Sequence, residues 1–248
     1  MDIKSFLKNR RNALMATISN INSKYANVAP PIRDQWIKEL AHKLPDKTRV
    51  LDVGAGTCPY RELFRHCEYV AHDFKKYHGT KNGPATDKWQ YGAIDIISDV
   101  ESIPVKRASY DAIICTEVFE HIPNPISAIK EFSRILKPKG RLILSAPLAS
   151  GLHQEPYHFY GGFTPHFYKQ FLKEAGFGKI KIIPEGGFFK HLSQENYRAS
   201  NLLMSGIHRN FLMAMFLKIF LVPTLWKLDD RYNIPEFTVG YLVEAIKK

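Results

Sequence analysis

The stretch Val50 to Pro59, Val-Leu-Asp-Val-Gly-Ala-Gly-Thr-Cys-Pro, constrains the fold of this chain more than any other feature. Its apolar residues predict a strand, and the two glycines predict a tight turn whose backbone a ligand can approach closely. Pro59 favours the first turn of a helix, because its ring fixes φ and it lacks an N–H. The stretch therefore predicts a strand, a turn and a helix N-terminus that suits an anionic or polar ligand. The alternative is a turn that binds nothing.

A second apolar run, Glu68 to Ala71, is followed closely by Asp73, which lies 21 residues after Asp52. In a nucleotide-binding βαβ unit, an acid at about this distance lies at the tip of the second strand and accepts hydrogen bonds from both ribose hydroxyls. The dinucleotide pattern G-x-G-x-x-G, started at Gly54, requires a glycine where this chain has Pro59. A nucleoside without a pyrophosphate is therefore favoured.

Strand and helix patterns alternate along the rest of the chain. Tyr110 to Thr116 is a continuous apolar run that is typical of a strand buried on both faces. A helix is predicted after Pro125, and Arg141 to Ala146 is predicted to be another buried strand. The segments Ile180 to Ile183 and Phe237 to Ile246 are predicted to be the last two strands, the final one antiparallel at the sheet edge. This alternation predicts an α/β fold with a doubly wound, mostly parallel sheet.

Five signatures resemble the class I S-adenosylmethionine-dependent methyltransferases, specifically their small-molecule branch, over about Thr48 to Gly178. They are Leu51 to Thr57, Asp73, Asp99-Val100 with Ile103-Pro104, Tyr110 to Pro125, and Arg134 to Leu142. Two departures are Cys58, at the last glycine of the family's G-x-G-x-G, and Lys139, at the first glycine of its Lys-Pro-Gly-Gly. The resemblance implies a Rossmann-like seven-stranded sheet, S-adenosylmethionine as cofactor, and methyl transfer by direct displacement.

Cofactor binding is assigned to residues at the carboxyl ends of strands, where ligands bind in open α/β sheets. Asp73 is assigned to the ribose hydroxyls and Phe74 to stacking on adenine. By the resemblance, Asp99 accepts the exocyclic amine of adenine and Val100 offers its backbone N–H, with Asp95 as the alternative to Asp99. The full set is Asp52, Val53, Gly54, Ala55, Gly56, Asp73, Phe74, Asp99, Val100 and Thr116.

The acceptor side is predicted in the loop Pro147 to His166, which is rich in glycine, proline, histidine and tyrosine. His153 and His158 are the candidate catalytic residues, because imidazole titrates near neutrality and can take a proton from an acceptor hydroxyl. The alternative role for both is that of hydrogen-bonded loop anchors. Oxygen is the favoured acceptor atom. In the resembled family Glu117 faces the cleft, whereas His121 is assigned a structural role.

No metal is assigned, because Asp229-Asp230 is one acidic pair without a third ligand. The segment Phe211 to Trp226 is apolar apart from Lys218 and Thr224, and Pro223 interrupts it. We expect a buried helix that covers the acceptor pocket. The alternative is a contact with a membrane surface or with another copy of the chain.

The 248 residues are predicted to form one methyltransferase domain. It comprises a helical lid at 1–47, a cofactor-binding core at 48–183, a helical acceptor-side insertion at 184–235 and a last strand at 236–248. The lid would contain one helix over Asp2 to Ser19 and a second that runs up to Pro45. Packing helices that touch no ligand are the alternative to a lid.

Composition limits the partners. The net charge of +11 suggests a polyanion, but the basic residues are scattered, so a small-molecule acceptor is favoured over nucleic acid. Base-amine methyltransferases usually carry an Asn/Asp-Pro-Pro-Tyr/Phe motif where this chain has Thr116 to Phe119. A nucleic-acid methyltransferase, a non-catalytic scaffold and a nicotinamide oxidoreductase remain the rivals. Three cysteines without metal spacing, and no visible secretory signal in Met1 to Asn22, favour a reducing cytoplasm.

Overall fold

The computed structural model describes residues 29–79, 89–205, 210–232 and 234–248, and the structural statements below concern these ranges. The predicted helix over Asp2 to Ser19 lies outside them. The chain divides into two compact units. The sheet unit comprises Arg33–Pro184 and Gly240–Lys248, and the helical unit comprises Met1–Ile32 and Glu185–Val239. The grouping of all 248 residues into one domain, with its lid and insertion, stays a prediction.

Seven strands form the sheet, in the order β3-β2-β1-β4-β5-β7-β6. They are β1 (Arg49–Val53), β2 (Glu68–Asp73), β3 (Ile96–Ile97), β4 (Tyr110–Thr116), β5 (Leu136–Pro147), β6 (Phe177–Pro184) and β7 (Gly240–Lys247). β1 to β5 pair in parallel, and β7 is antiparallel to β5 and β6. The predicted α/β fold with a mostly parallel seven-stranded sheet is confirmed.

The position predicted for the last strand is wrong. β7 is antiparallel as expected, but it lies between β5 and β6, and β6 forms the edge. The cause is burial: four apolar side chains of β7, those of Tyr241, Leu242, Val243 and Ala245, are buried, as a strand with neighbours on both sides requires. β6 instead exposes Lys179 and Lys181 to solvent, which suits an edge strand.

The side chains of β4 pack alternately into two hydrophobic layers. Ile113 and Cys115 pack with Ile129 and Phe132 of α2 (Pro125–Ile135). Ala112 and Ile114 pack in the second cluster, which includes Ile37 of α1 (Ala29–His42). This placement of helices on both faces is the doubly wound arrangement that the continuous apolar run of β4 predicted.

The connections differ from the sequence prediction at Pro59. No α-helix begins there; a turn closed by a hydrogen bond from Cys58 N to Ala55 O leads into the 3-10 helix Arg61–Phe64. Cys58 has a φ of 58°, a left-handed conformation that is incompatible with a helix starting at this point. By contrast, α3 (Pro165–Glu174) has a capped N-terminus, because the Thr164 hydroxyl accepts a hydrogen bond from Phe167 N.

The helical unit contains α4 (Phe188–Ser205), α5 (Phe211–Phe216), a π-helical segment (Leu217–Leu221) and α6 (Val222–Tyr232). By length and composition, the continuous helix Phe211–Tyr232 could cross a membrane. The expectation that it is a buried helix is wrong for one face, because only one face carries its buried apolar side chains. The exposed apolar side chains are Phe211, Leu212, Met213, Phe216, Ile219 and Phe220.

Candidate functional site

The carboxyl ends of β2, β1 and β4 open onto a cavity of about 270 Å³ within the sheet unit. Ligands of open α/β sheets bind in this place, so the cavity is the candidate functional site. Seven of the ten residues predicted to bind the cofactor line it: Asp52, Gly54, Ala55, Gly56, Asp73, Phe74 and Thr116. The lining does not include the other three, Val53, Asp99 and Val100.

The turn after β1 brings its backbone to the cavity wall. Gly54 and Gly56 both have left-handed φ values, +70° and +53°. A Cβ on Gly54 would lie 2.4 Å from Cγ2 of Val118, which is far inside van der Waals contact. The backbone N–H of Gly56 donates to Oδ2 of Asp73 at 3.0 Å, so the turn and the tip of β2 are held together. Glycine is therefore required at position 54 for both backbone conformation and space.

Two acids of different character lie at this end of the sheet. Asp73 accepts hydrogen bonds from the backbone N–H groups of Gly56 and Lys75, and each of its oxygens keeps a lone pair for a ligand. Asp52 is 2% exposed, and burial raises its pKa to about 7, although the Tyr69 hydroxyl donates a hydrogen bond to it. Asp52 therefore gains a proton near neutrality, whereas Asp73 is the acid that accepts two backbone hydrogen bonds at the cavity wall.

The competing acids on either side of β3 serve local structure. Asp99 accepts a hydrogen bond from Glu101 N at 3.1 Å, and Asp95 accepts one from Ala71 N at 2.8 Å. Neither side chain belongs to the cavity lining. The assignment of Asp99 and Val100 to adenine therefore stays a prediction.

Aromatic side chains that the sequence did not single out form one wall of the cavity. Tyr77, Trp89, Tyr91 and Tyr157 line it beside Phe74. The Phe74 and Tyr157 rings meet edge to face with centroids 5.0 Å apart, and those of Tyr77 and Trp89 lie 5.5 Å apart. Tyr77 N donates a hydrogen bond to the Tyr91 hydroxyl. These tyrosines and the tryptophan lie in polar stretches of the sequence, where neither hydrophobic periodicity nor a motif predicts that they line a site.

The β4 side of the cavity is polar. Glu117 accepts a hydrogen bond from the Ser145 hydroxyl at 2.7 Å and lies 3.6 Å from a guanidinium nitrogen of Arg33. His121 and Gln154 also line this side. The expectation that Glu117 faces the cleft agrees with this geometry.

Comparison with known proteins identifies the family. Residues 25–182 match the family described as methyltransferase domain. The chain belongs to this methyltransferase domain family. A ubiquinone biosynthesis O-methyltransferase of Xanthomonas axonopodis pv. citri (strain 306) is 29% identical over 162 residues, which cover 58% of this chain and 64% of the relative. Its counterpart in Dechloromonas aromatica (strain RCB) is 34% identical over 124 residues, 46% of this chain and 50% of the relative.

The fold also matches solved structures. A SAM-dependent methyltransferase from Archaeoglobus fulgidus superposes with a TM-score of 0.53 at 16% identity, over 92% of this chain and 98% of that one. The predicted class I methyltransferase family, Rossmann-like fold and S-adenosylmethionine cofactor are thus confirmed. This chain spans about half to two thirds of the length of the curated relatives it matches.

The methyltransferase site fits its cofactor by its own geometry. A glycine turn that would clash with any Cβ, a carboxylate at the tip of β2 and an aromatic wall surround one cavity. These features suit a nucleoside, which needs close backbone approach, acceptors for ribose hydroxyls and a flat apolar surface for the base.

The predicted catalytic histidines do not line the cavity. His153 and His158 are absent from the lining, whereas His121, which the sequence assigned a structural role, belongs to it. The His121 ring lies 4.8 Å from the His153 ring, and the His153 ring lies 4.6 Å from the His158 ring. Burial lowers the pKa of His121 to about 4, so this ring is neutral at physiological pH.

We expect Gly54→Ala to weaken S-adenosylmethionine binding at least about tenfold. The new Cβ would clash with Val118, and the alanine would have to adopt a left-handed φ, which costs about 1–3 kcal/mol. Calorimetric titration and thermal unfolding measure the two effects. Gly151→Ala is the control, since a Cβ there has nothing within 4 Å. Equal binding by both variants would contradict the role of the turn.

Proposed function

We propose that this chain transfers the methyl group of S-adenosylmethionine to an oxygen of a small aromatic acceptor. The observation that carries the proposal is one cavity with nucleoside features at the β1 and β2 ends and polar side chains at the β4 end. The relatives named as O-methyltransferases support oxygen as the acceptor atom. Because the chain spans only part of their length, we propose the chemical class of its acceptor and not an individual compound.

The bound cofactor supplies an electrophilic methyl group on a sulfonium sulfur. Asp73 holds the ribose hydroxyls through its free lone pairs, and Phe74 packs on the adenine. Gly54 and Gly56 let the cofactor approach the backbone closely, and Thr116 lines the same cavity. These side chains act by holding the donor in place, and positioning alone can supply a large share of the acceleration.

The acceptor is proposed to bind beside the aromatic wall, with its hydroxyl directed towards the β4 end. Arg33 and Glu117 form a charged pair there that can orient a polar group. His121 is neutral and lines the same end of the cavity. His158 is the proposed proton acceptor, with the His153 ring beside it, and burial lowers the pKa of His158. A general base of this kind contributes roughly 10²- to 10⁴-fold.

The test is a methyl-transfer assay with deuterium-labelled S-adenosylmethionine and products identified by mass spectrometry. The acceptors are a dihydroxybenzene, the matching aminophenol and diaminobenzene, and an RNA. We expect a labelled methyl ether from the hydroxyl acceptors, and we expect His158→Ala to lower kcat about 100-fold while cofactor affinity stays unchanged. Transfer to nitrogen alone would contradict the choice of oxygen.

Two rivals are distinguished by the same experiment. The charge of +11 favours a nucleic-acid substrate, which would show labelled RNA and a steep loss of binding with salt. A non-catalytic scaffold would bind S-adenosylmethionine and methylate nothing. Contact of the 211–226 segment with a membrane or a second copy, and a cytoplasmic location in keeping with three free cysteines, are also proposals.

A further inference from the structure

Three potential metal ligands converge behind the β4 end of the cavity. Glu120 and His121 end the 3-10 helix Phe119–His121, and His153 comes from the loop after β5. One ligand atom from each of the three lies within 4.8 Å of the others. His153 lies 32 positions after His121 in the chain, so no sequence spacing reveals this cluster.

Two buried polar atoms in the cluster lack a hydrogen-bond partner within the described ranges. The Glu120 side chain is 2% exposed, and its Oε2 has no partner. The Nε2 atom of His121 also has none. Burying a carboxylate oxygen without a partner is unfavourable unless a cation or a proton neutralises it.

The hydrogen bonds of both histidines present Nε2 for coordination. Nδ1 of His121 lies 2.6 Å from Tyr157 O, and Nδ1 of His153 lies 2.9 Å from Gly151 O. A carbonyl oxygen can only accept, so each Nδ1 carries the hydrogen and each Nε2 keeps its lone pair. Metal-binding histidines are held in this way by outer hydrogen bonds to carbonyls.

We propose that Glu120, His121 and His153 bind a divalent transition-metal ion through one carboxylate oxygen and two Nε2 atoms. Two imidazoles with one carboxylate suit Zn²⁺, Mn²⁺ or Fe²⁺ better than Mg²⁺ or Ca²⁺, which prefer oxygen ligands. Ligands about 2.1 Å from a tetrahedral ion lie about 3.4 Å apart, so binding draws the cluster together by about 1 Å. His153 lies on a partly exposed loop that can make this movement.

The role of the ion in catalysis depends on the proposed methyl transfer, whereas the binding of the ion to these three residues does not. His121 lines the cavity, so an ion held by this cluster would lie next to the place proposed for the acceptor. A coordinated hydroxyl ionises more readily, because the cation stabilises the oxyanion. The hydroxyl proton passes to His158, the new oxygen–carbon bond forms as the sulfur–carbon bond breaks, and the sulfur keeps that electron pair. The ion changes no oxidation state.

The test titrates the full chain with Co²⁺ alone, followed by visible d–d absorption, and with Zn²⁺ alone, followed by calorimetry. We expect one site and a d–d spectrum typical of nitrogen and oxygen ligands. His153→Ala should lower the affinity at least about 100-fold, since losing a direct ligand exceeds the 10- to 100-fold cost of losing an outer contact. His158→Ala, on the same loop, should retain binding within about threefold.

Each result decides the proposal. Absence of a Co²⁺ spectrum in wild type, or equal binding by the His153→Ala variant, would overturn it. Loss of binding in His158→Ala but not in His153→Ala would overturn the ligand set. If the His153→Ala variant fails to fold, Glu120→Gln tests the carboxylate ligand instead, because it keeps the shape of the side chain. It should lower the affinity for the ion. Because S-adenosylmethionine is absent throughout, a failure of methyl transfer stays distinguishable from a failure of metal binding.

Discussion

Replacing Asp73 by asparagine should weaken S-adenosylmethionine binding by about 10- to 100-fold, because hydrogen bonds to a charged acceptor each contribute about 1.5–3 kcal/mol. In wild type the two carboxylate oxygens accept from Gly56 N and Lys75 N and still offer lone pairs to ribose hydroxyls. An asparagine loses the charge, and its amide group faces one of these backbone donors. Calorimetric titration with S-adenosylmethionine and S-adenosylhomocysteine measures the loss.

The matched control is Glu68→Gln, which removes the same charge from the opposite end of the same strand. Glu68 is exposed at the start of β2, so its variant should bind the cofactor like wild type. Circular dichroism of both variants separates a binding defect from an unfolded turn. Wild-type affinity in a folded Asp73→Asn protein would contradict the ribose assignment and leave the carboxylate with a purely structural role.

The sequence predicted those elements whose boundaries are local. β4 has the predicted bounds, since an apolar run that ends at a polar residue defines a buried strand without further information. Asp73 could be located because the strand, turn and second strand that position it lie within one short stretch. Seven of the ten predicted cofactor residues line the cavity for the same reason.

Features that depend on distant parts of the chain could not be predicted. The insertion of β7 between β5 and β6 follows from which strand buries both faces, a comparison across more than 50 residues. Arg33 reaches Glu117 from a preceding helix, and the aromatic wall assembles from separate loops. The histidine cluster shows the same limit, because His121 and His153 meet only after β5 has been added to the sheet.

Asp52→Asn should make the cofactor-free protein more stable than wild type above pH 7. The wild-type carboxyl is buried, and its pKa rises from 3.8 to about 7 on folding. Below about pH 4 the Asp52 carboxyl is protonated in both the folded and the unfolded state. Between pH 4 and 7 it is ionised in the unfolded state and protonated in the folded state, so the free energy of unfolding falls as pH rises. The full difference in pKa corresponds to about 4 kcal/mol above pH 7.

Urea unfolding at intervals from pH 4 to pH 9 gives the difference between variant and wild type, in which the titration of all other groups cancels. We expect it to grow through pH 7 and then to level off. Asp111→Asn is the control, because its effect on the free energy of unfolding should have the opposite sign. Burial alone would raise the pKa of Asp111, but the hydrogen bonds that it accepts from Lys137 and from Arg49 N lower it. Its loss should therefore destabilise at neutral pH and matter little in acid. A pH-independent difference for Asp52→Asn would mean that Asp52 stays ionised in the fold, held by Tyr69 more strongly than burial opposes it.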